Sequence, residues 1–188
     1  VGPPRLDQVD RDLIPMAAEF IKLGDSPPTY GGDFEREVLK ELRDKLPGSF
    51  LVIGNPSFPT KNSNFYEYDI VIVAPGLCDV LEVKRFNQEV KVYEDHLMGT
   101  KNFSSDHVFS TLESKVRVLA NRIKDFPFNT RNASRVKGWV VVPDSTEIKY
   151  MHSTHQQNRK VKSLGEVVQY YSGSEMSAPM GDEQRRLR

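Results

Sequence analysis

Cysteine is nearly missing. Cys78 is the only one in 188 residues, which excludes a disulfide framework and a cysteine-rich zinc site and points to a reducing compartment, the cytoplasm. Long apolar runs are missing too: none approaches the roughly 18–20 residues a membrane helix needs, and the mean hydropathy is −0.52. Val1 to Asp10 holds no apolar stretch behind a basic cap, so no secretory signal is expected there. Internal repeats, a phosphate-cradling glycine loop and a Ser-His-Asp motif are also absent from the sequence. Net charge is zero, 26 basic residues against 26 acidic, and taken alone that argues against a nucleic-acid partner.

The balance conceals a gradient. Residues 1–70 carry 8 Lys/Arg against 12 Asp/Glu, and residues 71–112 carry 4 against 6. Residues 113–162 carry 11 against 4, a net of +7, and the tail from 163 carries 3 against 4. Runs of charge are often only solvated faces. An acidic half beside a basic half is also how a metal-dependent enzyme acting on a polyanion is built.

What is present reads as an α/β domain over residues 31–172. Residues 1–30 form a lead-in, with helical character over Leu13 to Leu23 and a linker through Pro27-Pro28 and Gly31-Gly32; residues 173–188 form a disordered tail. Asp33 is placed to cap a helix that stops at Pro47-Gly48, and Phe50 to Ile53 reads as a strand. Pro56, Pro59 and Lys61 to Asn64 read as a loop. Glu67–Ala74 and Leu77–Phe86 read as a hairpin about Pro75-Gly76. A short strand at Val90 and Val92 follows, then a loop from Met98 to Asp106 and a long helix over His107–Asp125. Val136 to Val142 reads as a buried strand, 144–161 as indistinct and Leu164 to Tyr171 as a closing helix.

Chemistry concentrates in the hairpin. Glu82 and Lys84 share one face of an otherwise apolar strand. With a two- or four-residue turn, paired residue numbers sum to 151, which sets Asp69 directly across from Glu82. Two carboxylates so placed destabilise a sheet unless something positive lies between them. A hard divalent cation, Mg²⁺ or Mn²⁺, satisfies that demand. Glu35 adds a third carboxylate, because Glu35, Leu39, Leu42 and Leu46 stand on one helical face.

These residues and their order resemble the NERD domain, the nuclease-related domain of the PD-(D/E)XK superfamily. The matching stretches are Gly31-Gly32-Asp33-Phe34-Glu35, Glu67-Tyr68-Asp69 with Pro75-Gly76, Leu81-Glu82-Val83-Lys84, and Leu112-Glu113-Ser114-Lys115 on the later helix. Two positions depart from the family pattern: Glu67 replaces a Gln, and Ile70 replaces a His. Glu67, two residues before Asp69 on one strand face, is expected to add a carboxylate near the site. The resemblance implies a restriction-endonuclease-like core, a central mixed β-sheet flanked by helices. It further implies hydrolysis of phosphodiester bonds in DNA, or RNA, with Mg²⁺ or Mn²⁺ as cofactor. Asp69, Glu82 and the Val83 carbonyl would hold the metal, Glu35 would bind or orient it, and Lys84 would position the attacking water. Domains of this family also sit beside kinases or helicases, including kinase-bearing components of BREX-type phage defence. A non-catalytic nucleic-acid-binding or assembly module that retains the site is the competing expectation.

Basic residues off the Leu112-Val116-Leu119-Ile123 stripe are expected outside or flanking it, where they would meet phosphate: Lys115, Arg122 and Arg117, followed by Arg131, Arg135 and Lys137. Lys115 is the best placed of them to reach the site. Cys78 and Trp139 read as structural, the His152/His155 pair lacks a third metal ligand, and Phe126-Pro127-Phe128 reads as a helix stop.

Overall fold

The structure, a computed structural model, describes residues 17–23, 30–59, 65–74, 77–100, 104–124, 136–151 and 160–173. Arg131, Arg135, His152, His155 and Phe126-Pro127-Phe128 lie outside them, as does the Pro75-Gly76 turn.

The centre is a six-stranded mixed sheet. Its strands are β1 (Glu19–Lys22), β2 (Leu51–Gly54), β5 (Ile70–Ala74), β6 (Leu77–Val83), β10 (Gly138–Val142) and β12 (Val161–Ser163), which is also their spatial order. β5 and β6 form the antiparallel hairpin, and β10 then lies parallel to β6, as a strand reached through a helical crossover must. Side chains alternate between two faces. Ile70, Ile72, Leu81, Val83 and Val141 pack beneath α1 (Tyr30–Lys45) and α3 (Leu164–Ser172). Val71, Val80, Val140 and Val142 pack beneath α2 (Val108–Lys124). Helices on both faces explain why these strands read as continuous Val/Ile/Leu runs. Gly138 is where α2 comes closest: a Cβ there would lie 2.8 Å from the Leu112 and Val116 side chains.

A second layer covers the α2 side. β3 (Ser57–Pro59) and β4 (Phe65–Glu67) form a small hairpin. β7 (Glu89–Val92), β8 (Leu97–Gly99), β9 (Ser104–Ser105) and β11 (Glu147–Tyr150) form a four-stranded sheet in the order β11-β7-β8-β9. No helix among the described residues is long and apolar enough to cross a membrane.

The mixed sheet flanked by helices matches the expectation from sequence, and so does the 151 register, with Ile70↔Leu81 through Ala74↔Leu77. Several local readings are corrected. The end of the lead-in is a strand, because pairing with β2 overrides its weak helical periodicity. Gly31 and Gly32 lie inside α1, so Asp33 is a first-turn acid at the positive end of the helix dipole and not its cap. The proline-rich loop contains β3, whose partner β4 follows it, the Met98–Asp106 loop contains β9 and part of β8, and the indistinct stretch contains β11. The run Glu67–Ala74 is broken at Tyr68-Asp69, so Glu67 stands exposed on β4, paired with Ser57, and does not share a strand with Asp69.

Candidate active site

Asp69 occupies the break. The β2–β5 and β5–β6 ladders both begin at Ile70, which leaves Asp69 one step beyond them, across from Glu82. Freed from the ladder, its side chain turns onto the neighbouring strand, and Asp69 Oδ2 accepts the Val83 N–H at 2.7 Å. Its carbonyl accepts the Asn55 N–H at 2.9 Å.

Glu82 projects from β6 toward α2 and is 7% exposed. Both of its oxygens are taken by ammonium groups. Lys84 Nζ donates to Oε1 at 2.8 Å, and Lys115 Nζ donates to Oε2 at 2.5 Å. The positive charge demanded by two facing carboxylates is thus supplied by two lysines. Burial would push the Glu82 carboxyl up, but Lys84 and Lys115 together hold it below the usual range. For Asp69 the compensation falls short: burial, then the Glu82 charge, push it up to about 6 against the pull of Lys84, Lys115 and the Val83 N–H. Burial would lower Lys84, and Glu82, Asp69 and Glu35 outweigh it to keep its ammonium above the ordinary value.

Lys115 flanks the apolar stripe and reaches Glu82, buried and not open to solvent. It is 7% exposed, its ammonium lies 5.8 Å from the Tyr68 ring centroid, and Tyr68 donates its hydroxyl to the Lys115 carbonyl at 3.0 Å. The reason is helical spacing: Lys115 is i+3 from Leu112 and one residue before Val116, so it falls within the width of a core-facing stripe. Arg122 stays exposed and donates to the Pro59 carbonyl on β3 at 2.6 Å. Lys137 is exposed beside β10 on a different surface, against α3.

Glu35 enters from α1 and is buried, 7% exposed, as the continuing helical stripe implied. Asn55 Nδ2 donates to its Oε1 at 2.5 Å. Asn55 was not singled out from sequence, yet it touches two parts of the site, with its amide on Glu35 and its N–H on Asp69. It sits in the left-handed region at φ 54°, a conformation that Asn tolerates better than most residues. The signal available in sequence was its place between Gly54 and Pro56, at the end of a strand.

Among the described residues no group of three or more His, Cys, Asp or Glu side chains is gathered closely enough to hold a metal. The donor chemistry nonetheless fits a hard cation. Two repelling carboxylates face each other, and Asn55 Oδ1 is a buried oxygen with no hydrogen-bond donor among the described residues. Glu82 is the ligand that would have to exchange a lysine for a metal.

Comparison with known proteins adds the family. No curated protein and no solved structure matches the chain. The family described as the nuclease-related domain, NERD, matches residues 30–143, from the first residue of α1 to just past β10, a span that contains Glu35, Asn55, Asp69, Glu82, Lys84 and Lys115. The chain belongs to the nuclease-related domain (NERD) family.

Proposed function

We propose that this chain is a divalent-metal-dependent nuclease domain that hydrolyses phosphodiester bonds in DNA, as a module of a larger prokaryotic protein. One observation carries the reading: an Asp69–Glu82–Lys84 constellation at one end of the sheet, with Glu35 in electrostatic reach of Lys84. Asp69 and Glu82, with the Val83 carbonyl, would hold Mg²⁺ or Mn²⁺, and Glu35 would orient it with Asn55. The cation supplies Lewis acidity toward the phosphate. Lys84, whose ammonium is held charged by three carboxylates, orients the attacking water and balances negative charge that develops on the phosphate. The Val83 N–H keeps the Asp69 carboxylate aimed at the site.

A second reading rests on the saturation of Glu82 by two lysines: a nucleic-acid-binding or assembly module with the site kept for charge balance. Incubation with plasmid and linear DNA in Mg²⁺ or Mn²⁺, beside Glu82→Gln and Lys84→Ala, separates the two. The nuclease reading expects metal-dependent cleavage that falls at least about a hundredfold in each variant. Cleavage that survives both substitutions removes these residues from the active site. DNA binding with no cleavage in either metal supports the module.

A further inference from the structure

The opposite face of the sheet carries a buried acid that the reaction does not use. Asp79, on β6 three residues before Glu82, is 0% exposed. It accepts the Lys137 N–H at 3.0 Å, the Tyr171 hydroxyl at 2.8 Å and the Trp139 indole N–H at 3.4 Å. These donors come from beside β10, from α3 and from β10 itself, so one carboxylate ties three segments together. Above it the Trp139 and Tyr170 rings meet edge to face at 5.5 Å between centroids. Lys137 Nζ lies 5.8 Å from the Trp139 centroid and 5.3 Å from the Tyr170 centroid; for Lys162 Nζ the distances are 4.9 and 5.8 Å.

Neither lysine forms an ion pair among the described residues. Lys45, Lys84, Lys91, Lys115, Lys149 and Lys160 each pair with a carboxylate. A carboxylate partner neutralises an ammonium, whereas a ring holds it in place and leaves its charge available. Lys137 Nζ donates to the Tyr170 hydroxyl at 2.8 Å, beside the Trp139 ring, and Lys162 Nζ lies against both rings, so two ammonium groups are held by neutral partners in the part of the sequence with a net charge of +7.

We propose that Lys137, held by the Tyr170 hydroxyl and the Trp139 ring, and Lys162, held against both rings, form a phosphate-backbone contact for a nucleic-acid strand on the sheet face opposite the Glu82 carboxylate. The choice of nucleic acid as the polyanion rests on the nuclease reading; the platform of rings and lysines does not. Asp79 is a positioning residue for it, acting through Lys137, Trp139 and Tyr171.

Trp139 is the only tryptophan in the chain, so its emission reports on the platform directly. The test titrates the full chain with an oligothymidylate in EDTA, where no cleavage occurs, at several salt concentrations. The proposal expects a saturable change in tryptophan emission. It also expects the double variant Lys137→Gln/Lys162→Gln to lose at least about tenfold in affinity and to flatten the log K against log salt slope by about 1.4, two single-strand phosphate contacts. Lys137 is exposed and Lys162 half-buried, and an unchanged far-ultraviolet spectrum verifies the variant's fold. An unchanged emission, or unchanged affinity and slope in the double variant, overturns the proposal. Polyglutamate producing the same emission change also overturns it. Cleavage of DNA by the double variant in Mn²⁺, read against Glu82→Gln, scores the nuclease reading separately: loss of one result leaves the other standing.

Discussion

β6 carries two buried acids three residues apart, and they are satisfied in opposite ways. Asp79 faces α3 and accepts from a phenol, an indole and a backbone N–H. Glu82 faces α2 and is held by two ammonium groups. Burial pushes Asp79 up, and its donors offset that only in part, whereas Glu82 is drawn below the usual range by its lysines. Neutral donors fixed in secondary structure have nowhere else to go, so Asp79 is a brace. Ammonium groups on flexible stems can exchange a carboxylate for another partner, so Glu82 has the exchangeable surroundings that the proposed function requires. The same residue chemistry on one strand is tied down by neutral donors on one face and by exchangeable ammonium groups on the other.

The largest expected effect breaks the brace. Asp79→Ala leaves the Tyr171 hydroxyl and the Lys137 N–H without an acceptor, at about 3 kcal/mol, or about 10 °C in Tm. Asp79→Asn keeps an acceptor oxygen and should lose about 1 kcal/mol. Thermal unfolding checks both, and equal losses would show that the acid's charge, and not its acceptor geometry, matters. Lys115→Met tests the other face. In EDTA it should lose about 2 kcal/mol, since Glu82 keeps only Lys84. Added Mn²⁺ should then stabilise the variant more than the wild type, because Lys115 no longer competes for Glu82. Equal Mn²⁺ shifts in the two proteins would refute competition between lysine and metal.

Asp69 sharpens the contrast through pH. Its folded-state value, about 6, lies above its ordinary one, so the folded chain binds this proton more tightly than the unfolded chain. That contribution to stability is complete below the ordinary value near 3.8 and is lost as pH rises through about 6. Asp69→Asn removes the loss. In EDTA at neutral pH the variant should melt about 3 °C higher, about 1 kcal/mol, and at pH 4 the gain should vanish. A pH-independent difference would mean that Asp69 titrates as an ordinary carboxyl.

The contrast was half legible in the sequence. The register summing to 151 placed Asp69 across from Glu82, because side-chain alternation and turn length fix hairpin pairing without reference to the rest of the fold. An α/β domain and its three helices followed from apolar runs and periodicity, whereas the mixed sheet was what the family resemblance implied. That Lys115 reaches the site was legible, but its burial was not, because a stripe drawn through four apolar residues understates the width of a buried face, and the Glu82 carboxylate and Tyr68 ring that make an ammonium tolerable there come from distant parts of the chain. Asp79 was passed over because its partners lie 58 to 92 residues away, beyond any local pattern. β1 and the β3–β4 hairpin were misread because short strands depend on the partner they pair with, and their own residues say little.

The smallest effect concerns the residue that joins two of the site's carboxylates. Asn55 contributes a left-handed backbone, an N–H to the Asp69 carbonyl and an amide to Glu35. Asn55→Gly keeps the first two and deletes only the amide, so stability should fall by less than about 1 kcal/mol. Asn55→Ala deletes the same amide and adds the steric cost of a Cβ at positive φ, a further ~1 kcal/mol. Any activity the two variants lose should nevertheless be equal, since Glu35 loses the same orienting contact in each. If Ala loses far more activity than Gly, the backbone at Asn55 sets the Asp69 geometry and the amide is secondary. If neither loses activity while both lose stability, Asn55 belongs with Asp79 as architecture, and the division between the two faces of β6 does not extend to the rim of the site.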